Sequence, residues 1–157
     1  MFTEAQFTTL AQTHMDMIFR LAFSMLKSGA DADDVTQNVL LSLYRSDKAF
    51  ESDAHLKHWL IRVTVNECKK VRRSPWARTE DLDDYAGTVE FEAPRDRELF
   101  DAIMTLDKKC RAVIVLHYYE GYSIAETAAL LGVPPGTVGT RLKRAREKLK
   151  HYLSDGG

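Results

Sequence analysis

Two clusters of lysine and arginine carry the side chains of this sequence that are best suited to recognition chemistry. The first runs from Arg62 to Arg78 and contains one acid, Glu67, and the second runs from Arg141 to Lys150 with one acid, Glu147. Their ammonium and guanidinium groups donate hydrogen bonds to phosphates and to base edges. Nine acids between Glu80 and Asp101 separate the clusters, so the net charge of the chain is only −1. The pattern predicts two basic surfaces with an acidic stretch between them.

The second cluster lies on a predicted helix-turn-helix. Ser123 and Glu126 have the spacing of a capping box, and they open a short helix that ends at Leu131. The turn is Gly132-Val133-Pro134. A second, basic helix begins near Pro135, because proline is tolerated in the first turn of a helix.

The two helices of this motif are predicted to pack through apolar faces. On the first helix and the turn the face comprises Ile124, Ala125, Ala128, Leu131 and Val133, and on the second helix it comprises Val138, Leu142, Ala145 and Leu149. The second helix also carries the residues predicted to form the DNA-binding surface, namely Thr137, Gly139, Thr140, Arg141, Lys143 and Arg144. A helical hairpin with a solvated basic face is the alternative, but the cap, the turn and the prolines together favour DNA binding.

The rest of the chain shows helical periodicity without the alternation of a strand, so the predicted fold class is all-α. The first helix is predicted to end at Gly29. The N-caps of the second and third helices are predicted to be Asp31 and Asp53. A fourth helix is expected at residues 95–105, and Asp107 is expected to cap the next one.

A change of composition divides the chain into two modules. Residues 74–94 contain Pro75 and Gly87 among many acids and show little periodicity, which is typical of a linker. The predicted organisation is a helical module at 1–73, an acidic linker at 74–94 and a helix-turn-helix module at 95–157.

Composition and the remaining reactive residues argue against most other classes of protein. Hydrophobic residues make up 45% of the chain and charged residues 29%, as in a folded, soluble protein. Cys68 and Cys110 form no CxxC unit, which favours reduced, buried thiols over a disulfide or zinc site. No nucleophile–base pair, phosphate loop or metal motif is present, so neither enzymatic activity nor a cofactor is expected. The chain start does not resemble a secretory leader, so we expect a cytoplasmic protein.

Three runs of the sequence resemble regions of bacterial RNA polymerase sigma factors, specifically the short extracytoplasmic-function (ECF) group. Sigma region 4, which recognises the −35 promoter element, is similar to RAVIVLHYYEGYSIAETAALLGVPPGTVGTRLKRAREKL. Region 2.2, which docks on the polymerase β′ clamp, is similar to DADDVTQNVLLSLYR. Regions 2.3 and 2.4, which melt and read the −10 element, are similar to HLKHWLIRVTVNECKKVRR. The modules occur in the family's order, and no region 3 lies between them.

The resemblance implies a factor that binds core RNA polymerase through the β′ clamp and the β flap, recognises promoter DNA, and is held inactive by an anti-sigma factor. The clamp residues implied are Asp33, Asp34, Gln37 and Asn38. The residues implied in −10 recognition and melting are Phe50, Asp53, Trp59, Arg62, Asn66, Lys69, Lys70, Arg72 and Arg73. These types suit the task, because melting needs flat side chains to stack on unpaired bases and cations to hold the strands. The acidic linker is expected to follow the path of nascent RNA through the polymerase.

Three positions depart from the family pattern, and two other functions stay open. Asp107 stands where proline is usual, although it can cap the helix, and Asn38 stands where an acid is usual. Gly139 replaces a polar residue and costs about 1 kcal/mol of helix propensity. The first alternative is a stand-alone helix-turn-helix regulator, which would bind DNA without polymerase and usually has a dimer interface. The second is a helical adaptor with no role on DNA.

Overall fold

The structure, a computed structural model, describes residues 2–74 and 94–155. The chain forms two compact units, one N-terminal and one C-terminal. Every regular element in the described ranges is helical and none is a strand, which confirms the all-α prediction. Residues 75–93 of the predicted acidic linker lie outside the described residues, so the exact module boundaries stay predictions.

In the N-terminal unit, the described residues 2–74 form a bundle of three helices that all contact one another. They are α1 (Glu4–Leu26), α2 (Gly29–Arg45) and α3 (Asp53–Arg73). Their apolar faces meet in a closed core that contains Ile18, Leu21, Phe23, Val35, Val39, Leu43, Leu56, Leu60, Ile61 and Val65. Because one stripe of each helix is used in this core, the opposite stripe of each is displayed to solvent.

The predicted caps in this unit are wrong by one to three residues. α1 ends at Leu26 with Lys27 in the left-handed conformation (φ 49°), and the chain turns directly into α2. The N-cap of α2 is Ser28, whose hydroxyl accepts a hydrogen bond from the backbone N–H of Asp31 at 3.2 Å. Ser52 caps α3 in the same way, so Asp53 is its first helical residue. Serine and aspartate are equally good N-caps, so local preference alone does not set the register.

In the C-terminal unit, residues 94–155 form four α-helices and one short π-helical segment. They are α4 (Pro94–Ile103), α5 (Lys108–Ile114), the π segment (Val115–Tyr119), α6 (Ile124–Leu131) and α7 (Pro135–Asp155). The core contains Phe100, Ile103, Met104, Val113, Ile114, Leu116, Leu131, Val138, Leu142 and Ala145. Asp107 caps α5 through the N–H of Cys110 at 3.0 Å, as predicted, so the family's proline is not needed at this helix start.

Both cysteines are free thiols buried in their units, as the sequence predicts. Burial raises the pKa of Cys68 to about 12, which leaves little thiolate at neutral pH. Among the described residues, no helix is both long enough and apolar enough to span a membrane.

Candidate nucleic-acid interface

The helix-turn-helix forms as predicted, because its boundaries are fixed by local hydrogen bonds. The Ser123 hydroxyl accepts from the N–H of Glu126 at 3.1 Å, and a carboxylate oxygen of Glu126 accepts from the N–H of Ser123 at 2.9 Å. Gly132 ends α6 in the left-handed conformation (φ 71°), and its N–H donates to the carbonyl of Ala128. α7 begins at Pro135. The capping box and the glycine together hold the start of α7 at a tight turn.

The packing of the motif agrees with the prediction on α7 and differs on α6. All four predicted stripe residues of α7 are buried: Val138, Leu142, Ala145 and Leu149. On α6 the residues buried are Thr127, Ala128, Leu130 and Leu131, whereas Ile124 and Ala125 are exposed. The prediction for Ile124 and Ala125 is therefore wrong. They lie in the first turn of an eight-residue helix, and only the second turn is covered.

The predicted DNA-binding residues of α7 fall on three different sides of the helix. An outer ridge, opposite the buried stripe, contains Gly136, Thr140, Lys143 and Glu147. A flanking ridge contains Thr137, Arg141, Arg144 and Lys148, again at spacings of four, three and four. Gly139 lies on the other flank and is half-exposed. The six predicted residues therefore do not form a single face.

The flanking ridge lies beside the start of α5. A polar pocket there is lined by Lys109 of α5 and by Gly136, Thr137, Thr140, Arg141 and Arg144 of α7. The Asp107 carboxylate is near enough for Arg144 to contribute to lowering its pKa, although the hydrogen bond from Cys110 is the main cause. Lys109 was not predicted from the sequence, because it precedes the helix-turn-helix and belongs to neither basic cluster.

The part of the first basic cluster that lies on α3 forms a single stripe, in which Arg62, Asn66 and Arg73 are exposed and Trp59 and Lys69 are half-buried. Trp59, Arg62, Asn66, Lys69 and Arg73 recur at spacings of three, four, three and four, which places them on one side of the helix. The opposite side contains the buried residues Leu60, Thr64 and Cys68. Lys70 lies next to the stripe and pairs with Glu67 at 3.1 Å.

Arg72, one of the predicted DNA-binding cations, bonds to the helical bundle. Its Nη2 atom donates a hydrogen bond to the carbonyl of Met25 at 2.6 Å. Met25 lies in the last turn of α1, where backbone carbonyls receive no hydrogen bond from within the helix. The guanidinium therefore links the end of α3 to the end of α1.

An aromatic cluster stands at the start of the α3 stripe. The ring of Phe50 contacts Trp59 edge-on with centroids 5.5 Å apart, contacts His55 at 5.4 Å and stacks on Phe2 at 6.4 Å. Phe50 and Trp59 are both half-buried, so each keeps part of its ring surface accessible. Asp53 is exposed nearby and acts electrostatically on His14, whose pKa is lowered mainly by burial.

The exposed side of α2 carries all four residues that the resemblance implies in polymerase binding. Asp33, Asp34, Gln37 and Asn38 are exposed, as predicted. The same side of α2 continues with two large side chains that were not predicted from the sequence. Leu41 is 45% exposed and Tyr44 is 49% exposed. Leu41 lies one helical turn beyond Gln37, so the sequence spacing would have indicated that it lies on the same side of α2. Large apolar groups on a polar helix face are typical of a docking surface.

Comparisons with known proteins agree over both units. Residues 10–78 match the family Sigma-70 region 2, and residues 96–149 match Sigma-70, region 4. The ECF RNA polymerase sigma factor SigM of Mycobacterium tuberculosis is 36% identical over 150 residues, which cover 94% of this chain and 76% of SigM. SigW of Bacillus subtilis, also an ECF sigma factor, is 29% identical over 167 residues, covering 95% of this chain and 89% of SigW.

Two solved structures have the same fold. CnrH, in complex with the cytosolic domain of CnrY, has a TM-score of 0.62 and 25% identity, covering 99% of this chain and 92% of CnrH. RpoE, in complex with the anti-sigma factor NepR from Bartonella quintana, has a TM-score of 0.64 and 24% identity, covering 94% of this chain and 96% of RpoE. The chain belongs to the ECF group of sigma-70 family factors, which direct RNA polymerase to promoters.

Proposed function

We propose that this sigma factor uses three helix faces for three separate steps of initiation. The exposed side of α2 binds core polymerase, the α3 stripe with its aromatic cluster handles the −10 strand, and α7 contacts the −35 duplex. One observation supports all three assignments: each set of residues lies opposite the buried stripe of its helix. The protein itself catalyses no reaction and needs no cofactor, and it acts in the cytoplasm, where the polymerase is.

The −35 assignment rests on the outer ridge of α7. Thr140 and Lys143 are exposed there, and a helix-turn-helix places this side of its second helix in the major groove. The hydroxyl of Thr140 donates to the carbonyl of Gly136 at 3.0 Å, which leaves its lone pairs available to base donors. Gly136 and Gly139 add no side chain, so few groups on this helix would read bases.

The −10 assignment rests on aromatic rings next to cations on one stripe. Trp59 offers a partly exposed ring to an unpaired base, while Arg62 and Arg73 are exposed for the backbone of the separated strand. Arg72 is not included, because its guanidinium hydrogen-bonds to Met25. The proposed set of −10 residues is therefore smaller than the set that the family resemblance implies.

The polymerase assignment rests on α2, where the exposed acids and amides are followed by Leu41 and Tyr44. Apolar side chains at the centre of a polar patch commonly supply most of the binding energy of an interface. We place the β′ clamp on this surface and the β flap on the C-terminal unit. By analogy with the CnrH and RpoE complexes, an anti-sigma factor would inhibit this chain by binding it in place of the polymerase.

Run-off transcription tests the function as a whole. Core polymerase with this protein should produce transcripts from a subset of a promoter library that core polymerase alone does not transcribe. Absence of stimulation on every template would contradict the proposal. Binding of promoter DNA by the free protein, at the affinity of the holoenzyme, would favour a stand-alone regulator.

Matched variants separate the three steps. Asp34→Lys should weaken core binding, whereas Asp47→Lys, the same change on an exposed loop residue, should not. Arg62→Ala with Asn66→Ala should leave core binding intact and reduce permanganate reactivity of thymines at −10, with Lys48→Ala as the control. Thr140→Ala with Lys143→Ala should remove the dependence of transcription on the −35 sequence. An assignment is wrong if its variants fail at a different step.

A further inference from the structure

Lys109, Arg141 and Arg144 come together in a pocket between the start of α5 and α7, which also includes Gly136 and Thr140 at the edge of the outer ridge. Building on the proposed −35 function, we propose that these three cations form a clamp for one phosphate of the DNA backbone. Lys109 is then a DNA-contacting residue that lies outside the helix-turn-helix. The clamp positions α7 on the duplex and does not read its sequence.

The shape of the site supports a compact anion as its ligand. Side chains from two helices converge on one pocket, with Lys109 on α5 and both arginines on the flanking ridge of α7. Thr137 and Thr140 add hydroxyl groups to the same lining. No carboxylate is among the described residues that line it. The Thr140 hydroxyl already donates its proton to the carbonyl of Gly136, but the ammonium, the two guanidinium groups and the Thr137 hydroxyl still make the pocket rich in donors, and phosphate oxygens are strong acceptors.

The position of Lys109 on its helix is unfavourable without such a ligand. It lies in the first turn of α5, next to Lys108, where the helix dipole disfavours positive charge. Across the pocket, Arg141 and Arg144 add further positive charge. The carboxylate of Asp107, which acts electrostatically on Arg144, offsets this only in part, because it carries one negative charge against three positive ones. An incoming phosphate would relieve the mutual repulsion of the three cations.

The three cations of the clamp lie off the ridge that would read bases, whereas Thr140 belongs both to that ridge and to the pocket lining. The outer ridge, with Thr140 and Lys143, lies opposite the buried stripe and would face the groove. The clamp lies on the side of the helix that faces α5, where a docked duplex would present its backbone. Phosphate contacts fix orientation and register, and they contribute affinity that depends on salt and not on sequence.

The test compares two neighbouring lysines in the reconstituted holoenzyme. Lys109→Gln and Lys108→Gln remove the same charge from adjacent exposed positions of α5, but only Lys109 lines the pocket. Binding of holoenzyme to a promoter that the wild type transcribes is measured at salt concentrations from about 50 to about 200 mM. We expect Lys109→Gln to weaken binding about fivefold and to reduce the slope of log K against log salt by about one. Lys109→Arg should restore both values.

Three outcomes would overturn the clamp. Equal effects of Lys109→Gln and Lys108→Gln would indicate general electrostatics only. An altered ranking of −35 variants in Lys109→Gln would make Lys109 a base-reading residue. Weaker binding of core polymerase by this variant, with unchanged binding of DNA by the assembled holoenzyme, would assign the pocket to an acidic protein surface. If the wild-type holoenzyme selects no promoter at all, the proposed function fails instead, and the two failures are therefore distinguishable.

Discussion

Gly121 and Gly139 provide a direct test of the helix-turn-helix unit, because alanine should change its stability in opposite directions at the two positions. A Cβ atom added at either glycine would have no neighbour within 4 Å, so steric crowding does not distinguish them. Their backbones do: Gly121 has a φ of +77°, whereas Gly139 lies within α7. The sign of each effect therefore comes from conformation alone.

The expected magnitudes follow from helix propensity and backbone strain. Gly139→Ala should stabilise the unit by about 1 kcal/mol, since alanine loses less conformational entropy in a helix. Gly121→Ala should destabilise it by about 1 kcal/mol, because the left-handed backbone costs an L-residue about 1–2 kcal/mol and the smaller unfolded-state entropy offsets part of this. For a domain of this size, 1 kcal/mol shifts Tm by about 4–8 °C.

Thermal unfolding followed by circular dichroism at 222 nm measures both changes. The wild type and the two variants are compared in the same buffer, and chemical denaturation gives the free energies of unfolding. A fall in Tm for Gly139→Ala would mean that α7 bends or packs at this position in a way that the structure does not contain. An unchanged Tm for Gly121→Ala would mean that the turn before α6 relaxes freely.

Three further changes test the remaining structural claims. Arg72→Ala should destabilise the N-terminal unit by about 1 kcal/mol, because the carbonyl of Met25 loses its partner. The control, Arg73→Ala, should change the free energy of unfolding by less than about 0.5 kcal/mol. Equal effects of the two variants in denaturant titrations would refute the link between Arg72 and Met25. Ser123→Ala should cost about 1 kcal/mol and lower the Tm of the C-terminal unit, because it removes the hydroxyl of the capping box. The raised pKa of Cys68 should make the free energy of unfolding fall as pH rises from about 9 toward about 12. In this range the thiol ionises in the unfolded chain but stays protonated in the folded one. The free energy of unfolding of Cys68→Ala measured over the same pH range should lack that component.

The features that the sequence predicts correctly are those set by neighbouring residues. The capping box at Ser123, the glycine that ends α6 and the buried stripe of α7 all depend on spacings of three or four residues. Such short-range patterns are visible in one sequence because the same few residues both carry the signal and make the contacts.

The features that the sequence does not predict depend on packing between distant segments. Arg72 and Met25 are 47 residues apart, and nothing in the basic cluster distinguishes Arg72 from Arg73 until α1 is placed beside α3. Lys109 joins the α7 cations only because α5 packs on α7. The exposure of Ile124 likewise depends on where its partner helices end, although its spacing from Ala128 is that of a buried residue.

The distribution of cations explains why this sigma factor should depend on core polymerase to hold DNA. The flanking ridge and Lys109 offer only a few phosphate contacts, and each contact changes log K by a modest, salt-dependent amount. A net charge of −1 adds no long-range attraction to DNA. Two DNA-binding sites that are weak separately bind strongly together when a common scaffold makes the second binding event intramolecular, at a high effective concentration. Core polymerase is such a scaffold, so we expect strengthening the clamp alone, by additional cations near Lys109, to increase binding by the free protein at the expense of promoter selectivity.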